Sequence, residues 1–202
     1  MSINATDLYE DGPAAGAKAK ILLIHFDGAI DAGGAGRMAI GQMLRSLHNE
    51  RVATFDADAL VDYRSHRPII TVEDWVSSPD MVMPQTVLDL VEDDMGNPIL
   101  VLHGAEPDAH WESFTNAISG ICERAGVEIT FSLHGVPSGV PHTRPTPVHV
   151  QATDASLLPA GGATIANHMQ FPAPLSTFVQ IRMGQRGIGG LALLGAVPFY
   201  MA

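Results

Sequence analysis

The sequence predicts an α/β protein: a three-layer α/β/α sandwich around a mainly parallel sheet, carrying an inserted antiparallel β region. Three observations carry that prediction. Short apolar runs recur at residues 20–26, 52–55, 99–102 and 190–197, as expected of strands covered on both faces. Helix-period stripes follow two of them, at 36–50 and 108–124. Gly, Pro and Asp punctuate the joins, where strands end and helices begin.

Residues 1–19 are rich in Ala, Gly and acidic side chains without periodicity, and read as a flexible N-terminal arm. Residues 20–202 form one α/β domain, since 202 residues suffice for one well-buried core. The strand at 20–26 leads into a glycine-rich turn at 27–34. The helix at 36–50 then presents Met38, Ile40, Met43, Leu44 and Leu47 on one stripe. With the strand at 52–55 this makes a βαβ unit, which implies a right-handed crossover and a parallel sheet.

The rhythm breaks over about 57–97. Residues 68–72 and 85–91 look like strands of an inserted antiparallel region, and Asp94-Met95-Gly96-Asn97 closes its last turn. The run at 99–102 reads as the central strand. It stops at His103-Gly104, turns through Glu106-Pro107, and a helix follows that buries Trp111, Phe114, Ile118 and Ile121 before Gly126. Beyond it come a strand at 127–133, a proline-rich loop at 135–147 and a strand at 148–152. A polar Gly/Pro-rich stretch at 154–174, a helix at 175–186 and a last strand at 190–197 complete the chain.

Charge excludes some partners. Acidic residues number 22 against 11 basic ones, a formal charge of −11, with no basic stripe to release counterions, so neither nucleic acid nor an anionic membrane is an expected partner. The longest apolar run, 189–202, is shorter than the roughly 20 residues of a membrane span and contains Pro198. Cys122 is the only cysteine; an internal disulfide is excluded and a cytoplasmic location is expected. Within a helical pattern it reads as a small buried hydrophobe rather than a nucleophile.

Four sets of residues are candidates for chemistry or contact. Asp27, His103, Glu106 and His134 are expected at strand carboxyl ends, where α/β sheets place their crevices, and His142 follows nearby. If they converge they can serve as an acid/base or zinc site. Nothing resembling H-E-x-x-H is present, so the favoured reading is an uncharged pocket wall, with no metal and no cofactor. Gly34-Ala35-Gly36-Arg37-Met38-Ala39 has the G-x-G-x-x-A form and Asp56 lies 22 residues on, a dinucleotide layout spoiled by the residues between strand and first glycine. Pro141-His142-Thr143-Arg144-Pro145 is a stiff loop offering Arg144 to an anion or a neighbouring subunit. Tyr63, Arg64 and Arg67 mix residue types that interfaces favour.

Taken in order, Asp31-Ala32-Gly33, Asp62-Tyr63 with Arg67-Pro68, Gly104-Ala105-Glu106-Pro107 with Trp111, Val140-Pro141-His142-Thr143-Arg144-Pro145 and Ala196-Val197-Pro198 with Tyr200 form a pattern. It resembles the actinobacterial branch of the proteasome assembly chaperone 2 family, whose members are sometimes labelled ATP-grasp or carboxylate-amine ligase-like. The resemblance covers about 20–159 and 190–200. It implies a phosphorylase/hydrolase-like α/β/α fold, homo-oligomer formation and, by analogy with archaeal and eukaryotic relatives, proteasome subunits as partners. The family has no agreed catalytic residues to carry over. Many bacterial relatives continue with a helical tail past the last strand, whereas this sequence stops at Ala202.

These readings favour a non-enzymatic, self-associating, protein-binding chaperone-like protein, with Tyr63, Arg64, Arg67, Trp111 and Arg144 as contact residues. The alternative is a ligand-binding protein or a hydrolase or ligase with its pocket at the strand ends.

Overall fold

Alternation within the apolar runs sets the layers. A computed structural model describes residues 3–28, 30–159 and 168–202. Its strands are β1 (Tyr9–Asp11), β2 (Ile21–Asp27), β3 (Asn49–Phe55), β4 (Ile69–Glu73), β5 (Val76–Val82), β6 (Thr86–Glu92), β7 (Pro98–Ala105), β8 (Ile129–Ser138), β9 (Val148–Ala152) and β10 (Gly189–Pro198). The helices are α1 (Ala35–Ser46), the single-turn α2 (Ala57–Leu60), α3 (Trp111–Ala125) and α4 (Leu175–Gly184). Leu22, Ile24, Leu100 and Leu102 point to one face of the sheet, where they pack with Phe114 and Ile118 of α3 and Leu175, Val179 and Met183 of α4. Leu23, Val101 and Leu133 point to the other, against Ile40, Met43 and Leu44 of α1. The sandwich is therefore α/β/α, and its middle strands are apolar on both faces as their sequences require.

The main sheet has eight strands in the order β1-β3-β6-β7-β2-β8-β10-β9. Its centre, β7-β2-β8-β10, is parallel, and β3 runs the same way although two strands separate it from β2. The first crossover thus does not return to a neighbouring strand, as the βαβ reading expected. β6 fills the gap: expected inside the insertion, it is hydrogen-bonded antiparallel to both β3 and β7. What stands apart is the smaller pair β4-β5. Ser77-Ser78-Pro79-Asp80 has the composition of a turn, yet it lies within β5.

The stretch expected to be a loose arm is packed. β1 pairs antiparallel with β3, and Leu8 just before it is fully buried in the core. Ile3, Ala5, Tyr9 and Ala14 pack against the same core, so scattered apolar side chains together with strand pairing hold the segment. Of the polar stretch at 154–174, residues 160–167 lie outside the described residues; 155–157 form a 3-10 turn in which the Ser156 N–H is capped by Asp154.

Two glycines let the layers close on the rim of the sheet. A Cβ on Gly36 would lie 2.5 Å from His25 Nδ1 and 2.6 Å from the Leu133 carbonyl, so only glycine allows α1 to sit down on β2 and β8. A Cβ on Gly135 would lie 2.1 Å from the Ala32 carbonyl, in the turn that crosses over β8.

Candidate functional site

Because β2, β7 and β8 are parallel, their carboxyl ends share one rim, and the residues there lie on both faces of the sheet. His25 and His103 are register partners on β2 and β7. Together with Asp27, Arg37, Ile40, Gly41, Leu44 and Gly104 they line a small cavity of about 120 Å³ on the α1 side. His134 lies on the α4 side, bonded to Ser176 at 3.2 Å. The sheet itself separates the predicted histidines. Asp27, His103, Glu106, His134 and His142 therefore do not gather into a single centre, and no cluster of metal-ligating side chains occurs among the described residues.

On the α1 side the organising group is Asp31, which the sequence reading left out of the site. Its carboxylate accepts from the N–H groups of Gly36 at 2.8 Å, Arg37 at 3.0 Å and Gly135 at 2.8 Å. It thus ties the first turn of α1 to β8. Those are the donors that a dinucleotide pyrophosphate would need at a helix N-terminus. Asp56, the would-be ribose ligand, instead caps α2 by accepting from Asp58 and Ala59. The G-x-G-x-x-A stretch is thus a turn in which Gly36 serves close packing, and the chain's own carboxylate fills the anion position.

Beside it, Asp89 on β6 receives His103 Nε2 at 2.8 Å and Arg51 Nε at 2.5 Å. Burial alone would raise the Asp89 carboxyl, but the bonds from His103 and Arg51 outweigh it and hold it below the usual carboxylate range. His103 is thus committed to a neighbour that the strand pattern did not reveal.

On the α4 side, His134 Nδ1 donates to the Ile30 carbonyl at 2.9 Å. That fixes the tautomer in which Nε2 accepts from the Ser176 hydroxyl. Burial keeps this histidine below its ordinary pKa, and so neutral. It forms one wall of a cavity of about 590 Å³, otherwise bounded chiefly by apolar groups such as Ile30, Val136, Phe171 and Leu194. Glu106 accepts the Leu175 N–H at 2.7 Å and so secures the start of α4.

The remaining candidates lie elsewhere. His142 meets the Tyr200 hydroxyl through both its backbone N–H and Nδ1, at 2.9 and 2.7 Å; Tyr200 lies beyond the end of β10. Tyr63 donates to Asp58, and Arg64 pairs with Asp62, whose carboxyl is lowered to about 2 by that bond. Arg67 and Arg144 are exposed. Trp111 is half-buried, donating from Nε1 to Pro107 at 2.6 Å and meeting Phe178 edge-on. Cys122 is fully buried, and burial pushes its thiol up to about 12.

The sequence profile of the PAC2 family matches residues 25–202. The chain belongs to the PAC2 family. Among solved structures, a Mycobacterium tuberculosis protein of unknown function is 33% identical, with a TM-score of 0.88 over 96% of this chain and 68% of its own. A Corynebacterium glutamicum protein of unknown function is 29% identical, with a TM-score of 0.86 over 96% of this chain and 74% of its own. A proteasome-assembly chaperone homologue from M. tuberculosis shares the fold at 24% identity and a TM-score of 0.79, over 89% of this chain and 76% of its own. No curated protein matches. This PAC2 chain contains no helix long and apolar enough to cross a membrane among its described residues.

Proposed function

We propose that this PAC2 protein is a non-enzymatic, self-associating, chaperone-like protein of the cytoplasm, and that copies meet through the β4-β5 hairpin and the proline-rich loop. The single observation that carries the reading is the hairpin. Ile69, Ile70, Val72, Val76, Met81 and Val82 are all more than half exposed, and Trp75 at its tip is 98% exposed. An isolated two-stranded ribbon is marginal in water, and an apolar patch of this kind marks an interaction surface. Its turn supports the same view. Asp74 and Trp75 both hold positive φ, at 49° and 63°, a conformation that hairpins normally give to Asn-Gly. Such strain persists where function rewards it.

Charge suggests what the hairpin meets. It carries Glu73, Asp74 and Asp80 and no basic residue, whereas all but one of the acidic side chains precede Ile129. The proline-rich loop with Arg144 lies in the complementary, acid-poor part. A second copy offers that loop to the hairpin, covering apolar surface and pairing unlike charge. Tyr63, Arg64, Arg67 and Trp111 complete the proposed contact set. Proteasome subunits are the further partners this reading admits, by analogy with the assembly-chaperone homologue.

Light scattering coupled to size exclusion tests it. An oligomer is expected at micromolar concentration, converted to a folded monomer when 69–83 is replaced by a short Gly/Ser turn. A wild-type chain that elutes as a strict monomer removes the proposal. A second reading, a ligand pocket at the strand ends, is favoured by one observation: the apolar cavity of about 590 Å³ walled by His134. A thermal-shift screen of uncharged aromatic and acyl ligands checks it, with loss of the shift in Phe171→Ala expected.

A further inference from the structure

The small cavity between α1 and the tips of β2 and β7 contains a mismatch that chemistry can resolve. His25 is 97% buried, being only 3% exposed. Its Nδ1 lies 3.0 Å from the Leu133 carbonyl, which can only accept, so Nδ1 carries the proton. In the neutral ring Nε2 is then a bare lone pair, and it has no hydrogen-bond partner among the described residues. What faces it is more acceptor: Asp31 Oδ2 at 3.6 Å and Asp27 Oδ1 at 4.0 Å. A buried imidazole acceptor beside two carboxylate oxygens is satisfied by a donor or a cation.

A positive charge also lines the cavity. Arg37 lines it, and its guanidinium has no ion-pair partner among the described residues. That charge disfavours a bare metal ion. The rest of the lining is Ile40, Leu44, Gly41 and Gly104, with His103 bonded to Asp89. The volume of about 120 Å³ matches roughly four waters' share of liquid at about 30 Å³ each, room for a ligand of a few heavy atoms.

We infer that this cavity binds a small zwitterionic α-amino acid, its ammonium group set among His25 Nε2, Asp27 and Asp31 and its carboxylate on Arg37. The ammonium supplies the missing donors, Arg37 takes the carboxylate, and Ile40 with Leu44 meets a short side chain. Binding does not depend on the hairpin and is separate from self-association.

The experiment is NMR detection of the His25 imidazole nitrogens in the full chain at pH 7.5, titrated with L-alanine, methylamine, acetate and zinc separately. Alanine is expected to move the Nε2 resonance with saturation in the millimolar range, and methylamine or acetate alone to bind about tenfold more weakly or worse. Asp27→Asn and Arg37→Gln alter exposed or half-exposed side chains, so they keep the native spectrum while weakening alanine about tenfold or more. An Nε2 signal unmoved by alanine up to about 50 mM overturns the inference, including the case in which His25 already carries both protons. So does methylamine binding as tightly as alanine with no effect of Arg37→Gln, or a site that responds to zinc alone.

Discussion

The β4-β5 hairpin and the central strands β2 and β7 are built from the same residue types, and the protein treats them in opposite ways. Ile24, Leu100 and Leu102 are fully buried, whereas Ile69, Val72, Val76 and Val82 stand half or more in solvent. Burying apolar area is worth about 25 cal/mol per Å² in either place. In the central sheet that gain is collected within one chain, because helices lie on both faces. On the hairpin these side chains stay exposed among the described residues, and under the proposed self-association the gain is collected when copies meet. A run of Ile and Val thus says that burial is wanted, and the tertiary neighbours say whether it happens within the chain or between chains.

Substitutions that separate the two regions sharpen this comparison, and the largest effect is expected in the core. Phe114 is fully buried and meets Phe55 edge-on at 4.8 Å between ring centroids. Phe114→Ala should cost about 3–5 kcal/mol in urea unfolding, without altering how surviving folded chains associate. Asp31→Ala comes next. It strips three backbone N–H groups of their acceptor at the rim and should cost about 2 kcal/mol, with a glutamate unable to restore the geometry.

Acidification should produce a smaller, graded loss. His134 has a folded-state pKa below its ordinary 6.5, because burial disfavours the charged ring. The unfolded chain then takes the proton first. This contribution is complete above about pH 6.5 and is lost as pH falls toward the folded value. The denaturation midpoint should decline from pH 7 to pH 5, with a shallower slope in His134→Gln; identical slopes would remove His134 as the cause. The smallest effect on folding belongs to Trp75→Ser, at most about 0.5 kcal/mol, since the side chain touches solvent almost entirely. The same change should weaken the oligomer in light scattering, and a fully retained oligomer would break the contrast between the two regions. Cys122 gives an internal control: with its thiol pushed up to about 12, it should resist a thiol reagent until the chain unfolds.

Much of the architecture was legible because its signals are local. Apolar runs and helical stripes located the strands at 20–26, 99–102 and 190–197 and the helices around Phe114 and Val179, and Gly126 marked the end of α3 in αL conformation. The ordered marks from Asp31 to Tyr200 pointed to the family. The candidate site was legible only in part. His103 and Glu106 do lie at the end of β7, but His134 sits within β8, which runs on to Ser138, and the partners are distant in sequence: Asp89 is 14 residues from His103, Ser176 42 from His134 and Leu175 69 from Glu106. No periodicity encodes such pairings.

The sequence by itself determined that this chain is α/β, that its middle strands are buried on both faces and that Cys122 is a buried helix residue, because those properties follow from residue type and spacing. Only the tertiary structure decided that β6 sits between β3 and β7, that Leu8 anchors the N-terminal segment, and that the histidines at one rim face opposite sides of a sheet. The reason is physical: hydrophobic pattern states which side of an element seeks cover, while the partner that provides it is chosen by long-range packing.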